Sequence, residues 1–530
     1  MAATTAQTGL LAPLANRTFA ALWVASIVSS VGTAMQTVGA TWTLVQTGAN
    51  PALVAALQAA GSVPLFLAGL PAGVLADIVD RRKLLIAANL WAAAAAAVLA
   101  ALAFAGAAPP SVLLAATFAI GLGAAFSAPA FQAIVPELAS GDGLAPAVAL
   151  NSIGMNIART IGPALGGVTV AAVGAPATFA INAASTLAVV WALAAWRRPP
   201  EPRRLPPEHF LGATRASVRY ARHAPGVRRI LRQAIVFFAI ASAPWALLPL
   251  IASDRLGLGA SGYGTLLGAL GVGAVAGALM LTKLRKLFGT RLLATANIVC
   301  AAACGALAVV ASEALAMAAV ALFGAGWITV LTLLNVGIQN AVAGWVRARM
   351  LALYVVAYFG AFAAGSLVWG KLADLVGVPE ALIVAAVAGL AAAPLLARLS
   401  IGGTDLDLSP AASQEPGLIL APGEDHGAVL VSTDYRIDAE ESEAFGSAMA
   451  ELRESRLRTG AFAWRHWTDP ADPSFHRESY VVESWTEHMR QTDRRTVADA
   501  AAESRVNAMA GSAAKTTLLR ERSKSRADYA

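Results

Sequence analysis

The stretch 83-KLLIAAN-89 opens a long apolar segment, and a near copy of it, 291-RLLATAN-297, opens another apolar segment 208 positions later. Gln132 and Gln339 close two further apolar segments at almost the same spacing, 207 positions. Matches that repeat at one spacing indicate a duplicated unit. The sequence therefore predicts two related halves, an organisation typical of membrane transporters whose substrate site lies between the halves.

The amino-acid composition indicates whether these segments are surrounded by lipid or by water. Hydrophobic residues make up 57% of the 530 residues, charged residues make up 13%, and the mean hydropathy is +0.62. These values lie outside the range of ordinary soluble domains. Of the 32 acidic residues, ten precede Gly402 and 22 follow it, which predicts a membrane part and a soluble C-terminal part. Nucleic-acid binding is not expected despite the net charge of +7, because the basic residues are dispersed between apolar segments.

A helix that crosses a bilayer needs about 20 apolar residues. By that length six spans lie in a first half, residues 18–196, and six in a second half, residues 233–400, with residues 1–17 before them and a basic linker, 197–232, between them. The predicted fold is an all-α membrane protein with 12 transmembrane helices in two six-helix repeats, plus a small C-terminal domain. The spans lie near residues 19–45, 52–76, 84–105, 111–131, 145–171, 177–196, 233–252, 262–282, 292–311, 315–337, 350–370 and 379–398.

Basic residues concentrate on one side of the predicted bundle. That side carries Arg17, the run 81–83 and ten arginines of the basic linker, whereas the loops of the other side carry Arg255 and Lys371. Because loops rich in positive charge stay in the cytoplasm, the sequence predicts a multi-pass protein of the cell (inner) membrane with both termini in the cytoplasm. The first apolar stretch is too long for a cleavable signal peptide.

The segment 73-GVLADIVDRRK-83 joins the second and third predicted spans. It resembles the signature loop of the major facilitator superfamily, with Ile78 in place of a basic residue and Asp80 in place of a glycine. The resemblance implies a cytoplasmic latch between the two halves, formed by Gly73, Asp77, Arg81 and Arg82. A weaker or differently partnered latch, and a basic loop that only sets topology, remain alternatives.

The fifth predicted span contains 151-NSIGMNIARTIGPALGG-167. Small residues let helices approach closely, and a proline inside a helix can kink it. The core of the stretch resembles the fifth-helix motif of facilitator-superfamily exporters, with Ala158 in place of an earlier glycine. By that resemblance the exporter motif consists of Gly162, Pro163, Gly166 and Gly167, and it implies export rather than uptake.

Arg159 lies about fourteen residues into this span, about 21 Å from its start and near the middle of the membrane. A charge at that depth is costly and usually functional. The middle of the predicted spans contains no Asp or Glu that could pair with it. An anionic substrate, backbone carbonyls or water could neutralise the charge. We predict a substrate-binding or gating role, with a purely structural arginine as the alternative.

Other polar side chains in the spans are predicted to line or gate the same cavity, with helix–helix hydrogen bonds as the alternative. These residues are Asn151, Asn156, Gln36, Asn335, Tyr354 and Tyr358. Trp245 and Trp327 are interpreted as interfacial anchors or packing residues. Proton coupling commonly needs a buried carboxylate. Because none lies at mid-depth, coupling could use Asp77, Glu137 or the substrate itself.

The spacing of apolar residues along the chain changes after a predicted linker, residues 401–425. Strands are predicted at 428–435, 461–467 and 479–485, with helices at 439–457 and 487–509. The β-α-β-β-α order suggests a small ferredoxin-like α+β domain over residues 426–512, followed by a basic flexible tail, 513–530.

The run 482-VESWTEHMRQTDR-494 is similar to the end of dimeric α/β-barrel domains of the antibiotic-biosynthesis monooxygenase type. That similarity implies His488 as a candidate catalytic residue, with a structural histidine as the alternative. A regulatory or dimerising module is the favoured role of the domain.

Nearly the whole chain resembles the transmembrane secretion effector branch of the major facilitator superfamily, which includes enterobactin-exporter-like and macrolide-efflux-like proteins. The phrases 136-PEL-138, 156-NIAR-159 and 484-SWTEH-488 carry the resemblance. It implies an efflux antiporter that exports a siderophore-like or drug-like molecule by alternating access. The expected partners are a small-molecule substrate, the lipid bilayer, a coupling proton and a second copy bound through the C-terminal domain, without cofactor or metal. A membrane-anchored enzyme with a cofactor-free monooxygenase domain, and an importer, are the alternatives.

Overall fold

The structure is a computed structural model that describes residues 9, 11–139, 143–196, 210–398, 407–411, 427–510 and 514–521. Most of the predicted N-terminal segment, of the 401–425 linker and of the basic tail, together with residues 197–209 of the basic linker, lies outside these residues. The side chain of Asp77 also lies outside them, although its backbone belongs to a helix.

The first half contains six long helices, each close to a predicted span. Polar residues begin several of them: the side chain of Asn16 accepts from the backbone of Phe19, that of Asn50 from Leu53 and that of Asp80 from Lys83, which satisfies donors that the first helical turn leaves unpaired. The helices are α1 (Arg17–Gln46), α2 (Pro51–Ile78), α3 (Arg81–Phe104), α4 (Pro110–Leu138), α5 (Leu144–Val173) and α6 (Ala175–Ala195).

The second half also contains six long helices, and a shorter helix precedes them inside the predicted basic linker. That shorter helix is α7 (Phe210–His223), and one residue separates it from the next. The six long helices are α8 (Pro225–Leu250), α9 (Ala260–Phe288), α10 (Leu292–Val309), α11 (Glu313–Asn340), α12 (Arg347–Val376) and α13 (Val378–Arg398).

Ten helical stretches among the described residues are long and apolar enough to cross a membrane. One of them, 260–309, contains both α9 and α10, and α5 is not among the ten. The chain is therefore a multi-pass, mostly helical protein, and the count of twelve spans stays a prediction.

Small residues bring the helices of the first half into contact. On α5, Gly154 lies against Ile27 of α1, and Gly162 lies against Ala34 of the same helix. The two contacts advance together along both helices, so α1 and α5 run parallel. A Cβ atom at Gly162 would lie 2.6 Å from that of Ala34, closer than real Cβ atoms approach. Glycine is therefore required at this contact.

The structure divides into two compact units, and the second contains residues 208–230, 336–351 and 402–530. Its C-terminal part is an antiparallel four-stranded sheet with strand order β2-β3-β1-β4. The elements are β1 (Val429–Arg436), α14 (Ser442–Thr459), β2 (Ala463–Asp469), β3 (Asp472–Val482), α15 (Trp485–Asp493), α16 (Val497–Met509) and β4 (Lys515–Arg520).

Two predictions for this domain were wrong. β4 occupies residues 515–520, where a flexible tail was predicted, because Leu519 pairs with Leu430 of β1. The predicted helix 487–509 is two helices, α15 and α16. The break is stabilised by a capping box in which Thr496 and Asp499 each accept a backbone hydrogen bond from the other.

Candidate substrate site

Arg159 lies on α5 between two packed faces of the helix. One face, which includes Gly162, contacts α1, and the other, which includes Thr160 and Gly167, contacts α9. The Arg159 side chain is exposed, and within the part of the chain that the structure describes no hydrogen bond or ion pair holds its guanidinium. Arg159 is near enough for its positive charge to act on Tyr358 of α12, a residue of the second half.

Tyr358 belongs to a group of aromatic rings that α8, α11 and α12 bring together, here called the aromatic cluster. Its ring lies 4.2 Å from that of Phe238, and the rings of Trp245 and Trp327 lie 5.5 Å apart, measured between centroids. Aromatic contacts at these separations are favourable. The members of the cluster are Phe237, Phe238, Trp245, Phe323, Trp327, Tyr354, Tyr358, Phe359 and Phe362.

Two polar groups in the aromatic cluster lack a hydrogen bond to any described residue, the Tyr354 hydroxyl and the Trp245 Nε1. Only 2% of Tyr354 is exposed. A buried polar group without a partner costs about 1–3 kcal/mol, so such groups are candidates for hydrogen bonds to a ligand. Tyr354 and Tyr358 were predicted to line a cavity. Trp245 and Trp327 were interpreted from the sequence as interfacial anchors or packing residues, so their position next to the two tyrosines was not predicted.

Gln36 forms a buried hydrogen bond between helices in this structure, and its assignment to the cavity stays a prediction. The Asn182 Nδ2 donates to the Gln36 Oε1 at 2.5 Å, and the two residues are 1% and 4% exposed. The pair is a hydrogen bond between α6 and α1, the alternative that the sequence left open. Asn156 donates to the Ser152 carbonyl of its own helix at 2.9 Å.

Asn151 and Asn335, the other two asparagines predicted to line or gate the cavity, are half-buried in α5 and α11. Their assignment to the cavity stays a prediction.

The arginines of the predicted latch bind within the first half. The Arg81 Nη1 lies 2.7 Å from the Glu137 Oε1 of α4. The Arg82 guanidinium donates to the carbonyls of Leu193 and Ala194 at 2.8 Å each, at the end of α6, where carbonyls lack helical partners. These contacts hold α3 to α4 and to α6.

The glycine of the predicted latch is not at a close helix contact. A Cβ added at Gly73 would meet no described atom within 4 Å, so the close approach expected there is not observed. The latch between the halves, including Asp77, stays a prediction.

The glycines of the exporter motif divide between two neighbours. Gly162 and Gly166 lie against α1, whereas Gly167 lies against Ala260 and Gly264 of α9. Pro163 contributes its carbonyl to the same contact, 2.7 Å from where a Cβ of Gly264 would stand. The motif therefore joins α5 to its own half on one face and to the second half on the other.

The halves meet at the end of the bundle where α1 passes into α2. Trp42 of α1 stacks on Tyr263 of α9 with centroids 6.0 Å apart and an interplanar angle of 20°. On the other side of the same end, a Cβ at Gly370 of α12 would lie 3.1 Å from the carbonyl oxygen of Pro51. These contacts join the two halves at the end of the bundle opposite to the basic loops.

His488 lies in α15 of the C-terminal domain with its ring 5.5 Å from that of Trp485. Its Nδ1 is buried and has no hydrogen-bond partner among the described residues. Burial lowers the pKa of His488 from its ordinary value, and the charge of Arg456 lowers it further. No group of three or more His, Cys, Asp or Glu side chains in the described residues could hold a metal ion.

One family profile matches nearly the whole chain, and one relative matches a part of it. The profile of the transmembrane secretion effector family matches residues 8–526. The staphyloferrin A transporter of Staphylococcus aureus (strain NCTC 8325 / PS 47) is 32% identical over 147 residues. That alignment covers 28% of this chain and 37% of the relative, so the chain matches well under two thirds of that protein's length.

Solved transporter structures share the fold. A bacterial homologue of the human lysosomal transporter Spinster, inward-facing and unoccupied, superposes with a TM-score of 0.59 at 14% identity, covering 73% of this chain and 97% of that chain. The nucleoside transporter NupG superposes with a TM-score of 0.58 at 13% identity, covering 72% and 98%. These identities show the fold alone. Together with the family match, they mean that the chain belongs to the transmembrane secretion effector family of the major facilitator superfamily and is a membrane transporter, not an enzyme.

Proposed function

We propose that this protein is a secondary active exporter of a small, anionic, amphipathic organic molecule of siderophore-like or drug-like type. Two observations from relatives support the proposal: the family is described as secretion effectors, and a partial relative is named as a transporter of staphyloferrin A. The exporter motif of α5 also supports it. Transport proceeds by alternating access of one central site to the two sides of the membrane.

The observation that carries the substrate class is the position of Arg159 opposite the aromatic cluster. A guanidinium that no described carboxylate pairs with can bind an anionic group of a ligand by charge-assisted hydrogen bonds. The rings around Tyr358 offer stacking faces, and the Tyr354 hydroxyl and the Trp245 Nε1 offer hydrogen bonds. An organic anion with aromatic or other flat apolar groups matches this combination, because it supplies charge, ring surface and polar atoms together.

The direction of transport follows from the topology proposed for the chain. The excess of basic residues in the loops of one side supports a topology with both termini in the cytoplasm and the protein in the inner membrane. Contacts between the halves at the opposite end include the stack of Trp42 on Tyr263. In the proposed cycle, a site that opens toward the basic loops loads its substrate from the cytoplasm. Antiport with protons, and a dimer formed through the C-terminal domain, complete the proposal.

The test measures accumulation of a catecholate siderophore, a macrolide and a cationic dye in cells that express the protein or its variants. Wild-type protein is expected to lower the level of the anionic catecholate, and Arg159→Ala is expected to lose at least about tenfold in export rate, since a hydrogen bond to a charged group contributes about 1.5–3 kcal/mol. Lys371→Ala is the matched control. It removes a basic residue that pairs with Asp374 at 3.1 Å near the end of α12.

The pattern across the panel separates the possible outcomes. Retention of full export by Arg159→Ala would remove the proposed anion contact. Export of the dye with no effect on the catecholate would overturn the substrate class. Higher accumulation of any compound in cells with wild-type protein would indicate uptake and overturn the direction.

A further inference from the structure

The end of α9 extends out of the packed bundle. The helix contains 29 residues and is about 43 Å long, whereas the hydrocarbon core of a bilayer is about 30 Å thick. Gly277, which lies against Ala325 of α11, is the last buried residue of the helix. All of residues 278–288 are at least partly exposed. This segment therefore reaches beyond the hydrocarbon core on the side of the basic loops.

One face of this segment combines apolar and basic side chains. Leu279, Lys283, Lys286 and Leu287 follow the spacing i, i+4, i+7 and i+8, so they share a face of the helix. The two leucines are 79% and 75% exposed, and both lysines are exposed as well. A lysine at this depth lays its methylene stem along apolar surface and places its ammonium among polar groups. The face therefore matches the boundary between acyl chains and lipid headgroups.

Four basic residues give this end of α9 a concentrated positive charge. Lys283, Arg285, Lys286 and Arg291 are exposed, and none of their side chains has a hydrogen bond or ion pair to a described residue. The carbonyls at the end of α9 favour Arg285 and Lys286 in its last turn. Lys283 and Arg291 lie outside that turn, so the helix end does not account for the whole cluster. We call the four basic residues and the two leucines the α9 patch.

The internal repeat shows that this charge is a property of the second half. At the spacing of 208 positions, segment 281–291 corresponds to segment 73–83 of the first half. The first-half segment contains three basic and two acidic residues, whereas the second-half segment contains four basic residues and no acidic one. Arg285 occupies the position that corresponds to Asp77. The net charge is therefore +1 in the first segment and +4 in the second.

The two segments also differ in how their charge is neutralised. In the first half the Arg81 Nη1 lies 2.7 Å from the Glu137 Oε1, and Arg82 donates to two carbonyls at the end of α6. Those arginines hold helices of their own half together. The α9 patch makes no such bond to a described residue, and its leucines are exposed where the helix leaves the bilayer. We therefore expect the groups that neutralise it in the membrane surface.

We propose that the α9 patch binds the headgroup of an anionic phospholipid in the leaflet on the side of the basic loops. Each basic residue close to a membrane surface raises the affinity for anionic lipid about fivefold. The leucines contact the acyl chains, while the lysines and arginines surround the phosphate. A zwitterionic lipid offers the same acyl chains without net charge, so the patch selects a headgroup with net negative charge. This site is separate from the proposed substrate site.

The test measures which lipid lies beside the end of α9 in the full-length protein. Thr290→Cys introduces an exposed thiol for a fluorophore, and the two native cysteines stay unlabelled because they are buried. The protein is placed in phosphatidylcholine nanodiscs that contain a small, equal share of nitroxide-labelled phosphatidylglycerol or phosphatidylcholine as quencher. Phosphatidylglycerol is expected to associate with the site at least about fivefold more strongly. Salt at about 1 M, where the Debye length is about 3 Å, is expected to abolish the difference.

Paired variants assign the preference to the α9 patch. Lys283→Gln combined with Lys286→Gln is expected to lower the preference for phosphatidylglycerol at least about threefold. Replacing both lysines by arginine keeps the charge and is expected to keep the preference. Arg17→Gln combined with Lys83→Gln is the matched control, because it removes the same charge from exposed positions at the starts of α1 and α3. This control is expected to behave like the parent.

The comparison of the two lipids on the parent protein keeps the proposal testable if a variant fails to fold. Equal quenching by the two lipids in the parent at low salt would overturn the proposal. An equal loss of preference in the two glutamine variants would overturn it as well, because the effect would then follow net charge rather than the α9 patch. The measurement needs no substrate, so its result is independent of the export assay.

Discussion

Gly167 of α5 and Gly264 of α9 meet backbone to backbone across the boundary between the two halves. A Cβ added at Gly264 would lie 3.0 Å from the Cα of Gly167 and 2.7 Å from the carbonyl oxygen of Pro163. Glycines at such a contact let two helix backbones approach closely. The exporter motif therefore includes a point where the halves touch directly.

Gly264→Leu is expected to lower transport by at least about tenfold, because the new side chain must displace the α5 backbone, and overpacking of this kind costs about 1–3 kcal/mol. Gly268→Ala is the matched control on the same face of α9. A Cβ there would meet Ala164 at 3.7 Å, an ordinary contact. Transport assays on the two variants at equal expression provide the comparison. Normal transport by Gly264→Leu would show that this contact is not needed in the cycle.

Arg81→Ala is expected to lower the stability of the detergent-solubilised protein by about 1–3 kcal/mol, because it removes the guanidinium that lies 2.7 Å from the largely buried Glu137 carboxylate. Thermal unfolding measures the effect. Lys83→Ala, which removes an exposed charge from the same loop, is expected to be nearly neutral. Equal losses from the two variants would indicate a general effect of loop charge rather than the Arg81–Glu137 pair.

Gln36→Leu is expected to lower stability by about 0.6–2 kcal/mol, the range of hydrogen bonds between membrane helices. It should leave substrate affinity unchanged, because Gln36 bonds Asn182 between α1 and α6. Thermal unfolding and substrate binding, measured on the same preparation, distinguish the two effects. Gln46→Leu, at the exposed end of α1, is the control. Weaker substrate binding by Gln36→Leu with normal stability would support the prediction that Gln36 lines the cavity.

The C-terminal domain is expected to lose stability as the pH falls below about 6.5, the ordinary pKa of histidine. Burial lowers the pKa of His488, and burial also lowers those of His466 and His476. Below pH 6.5 the unfolded chain therefore binds more protons than the folded domain, so acid favours unfolding. Thermal unfolding at pH 7.5 and 5.5 measures the loss, and His488→Leu should reduce it. A domain equally stable at both pH values would contradict these pKa shifts.

The sequence by itself determined most of the helices and strands of this protein. Apolar stretches of bilayer length define most of the long helices, because a helix in lipid must be apolar along its whole length, and Asn50 and Asp80 mark helix starts by capping. The change in the spacing of apolar residues after Gly402 predicted the α+β domain. Arg159 was predicted from the sequence to bind substrate or to gate, because a charge in the middle of a membrane span is rare.

Only the tertiary structure decided which side chains meet. The partner of Gln36, the assembly of rings around Tyr358 and the stack of Arg494 on Trp345 depend on how each helix is rotated and packed, and hydropathy does not specify that rotation in segments that are apolar on all sides. β4 was missed for a related reason: its pairing partner, β1, lies more than 80 residues away in the chain. Local composition determines where a helix or strand can form, and long-range packing determines the site.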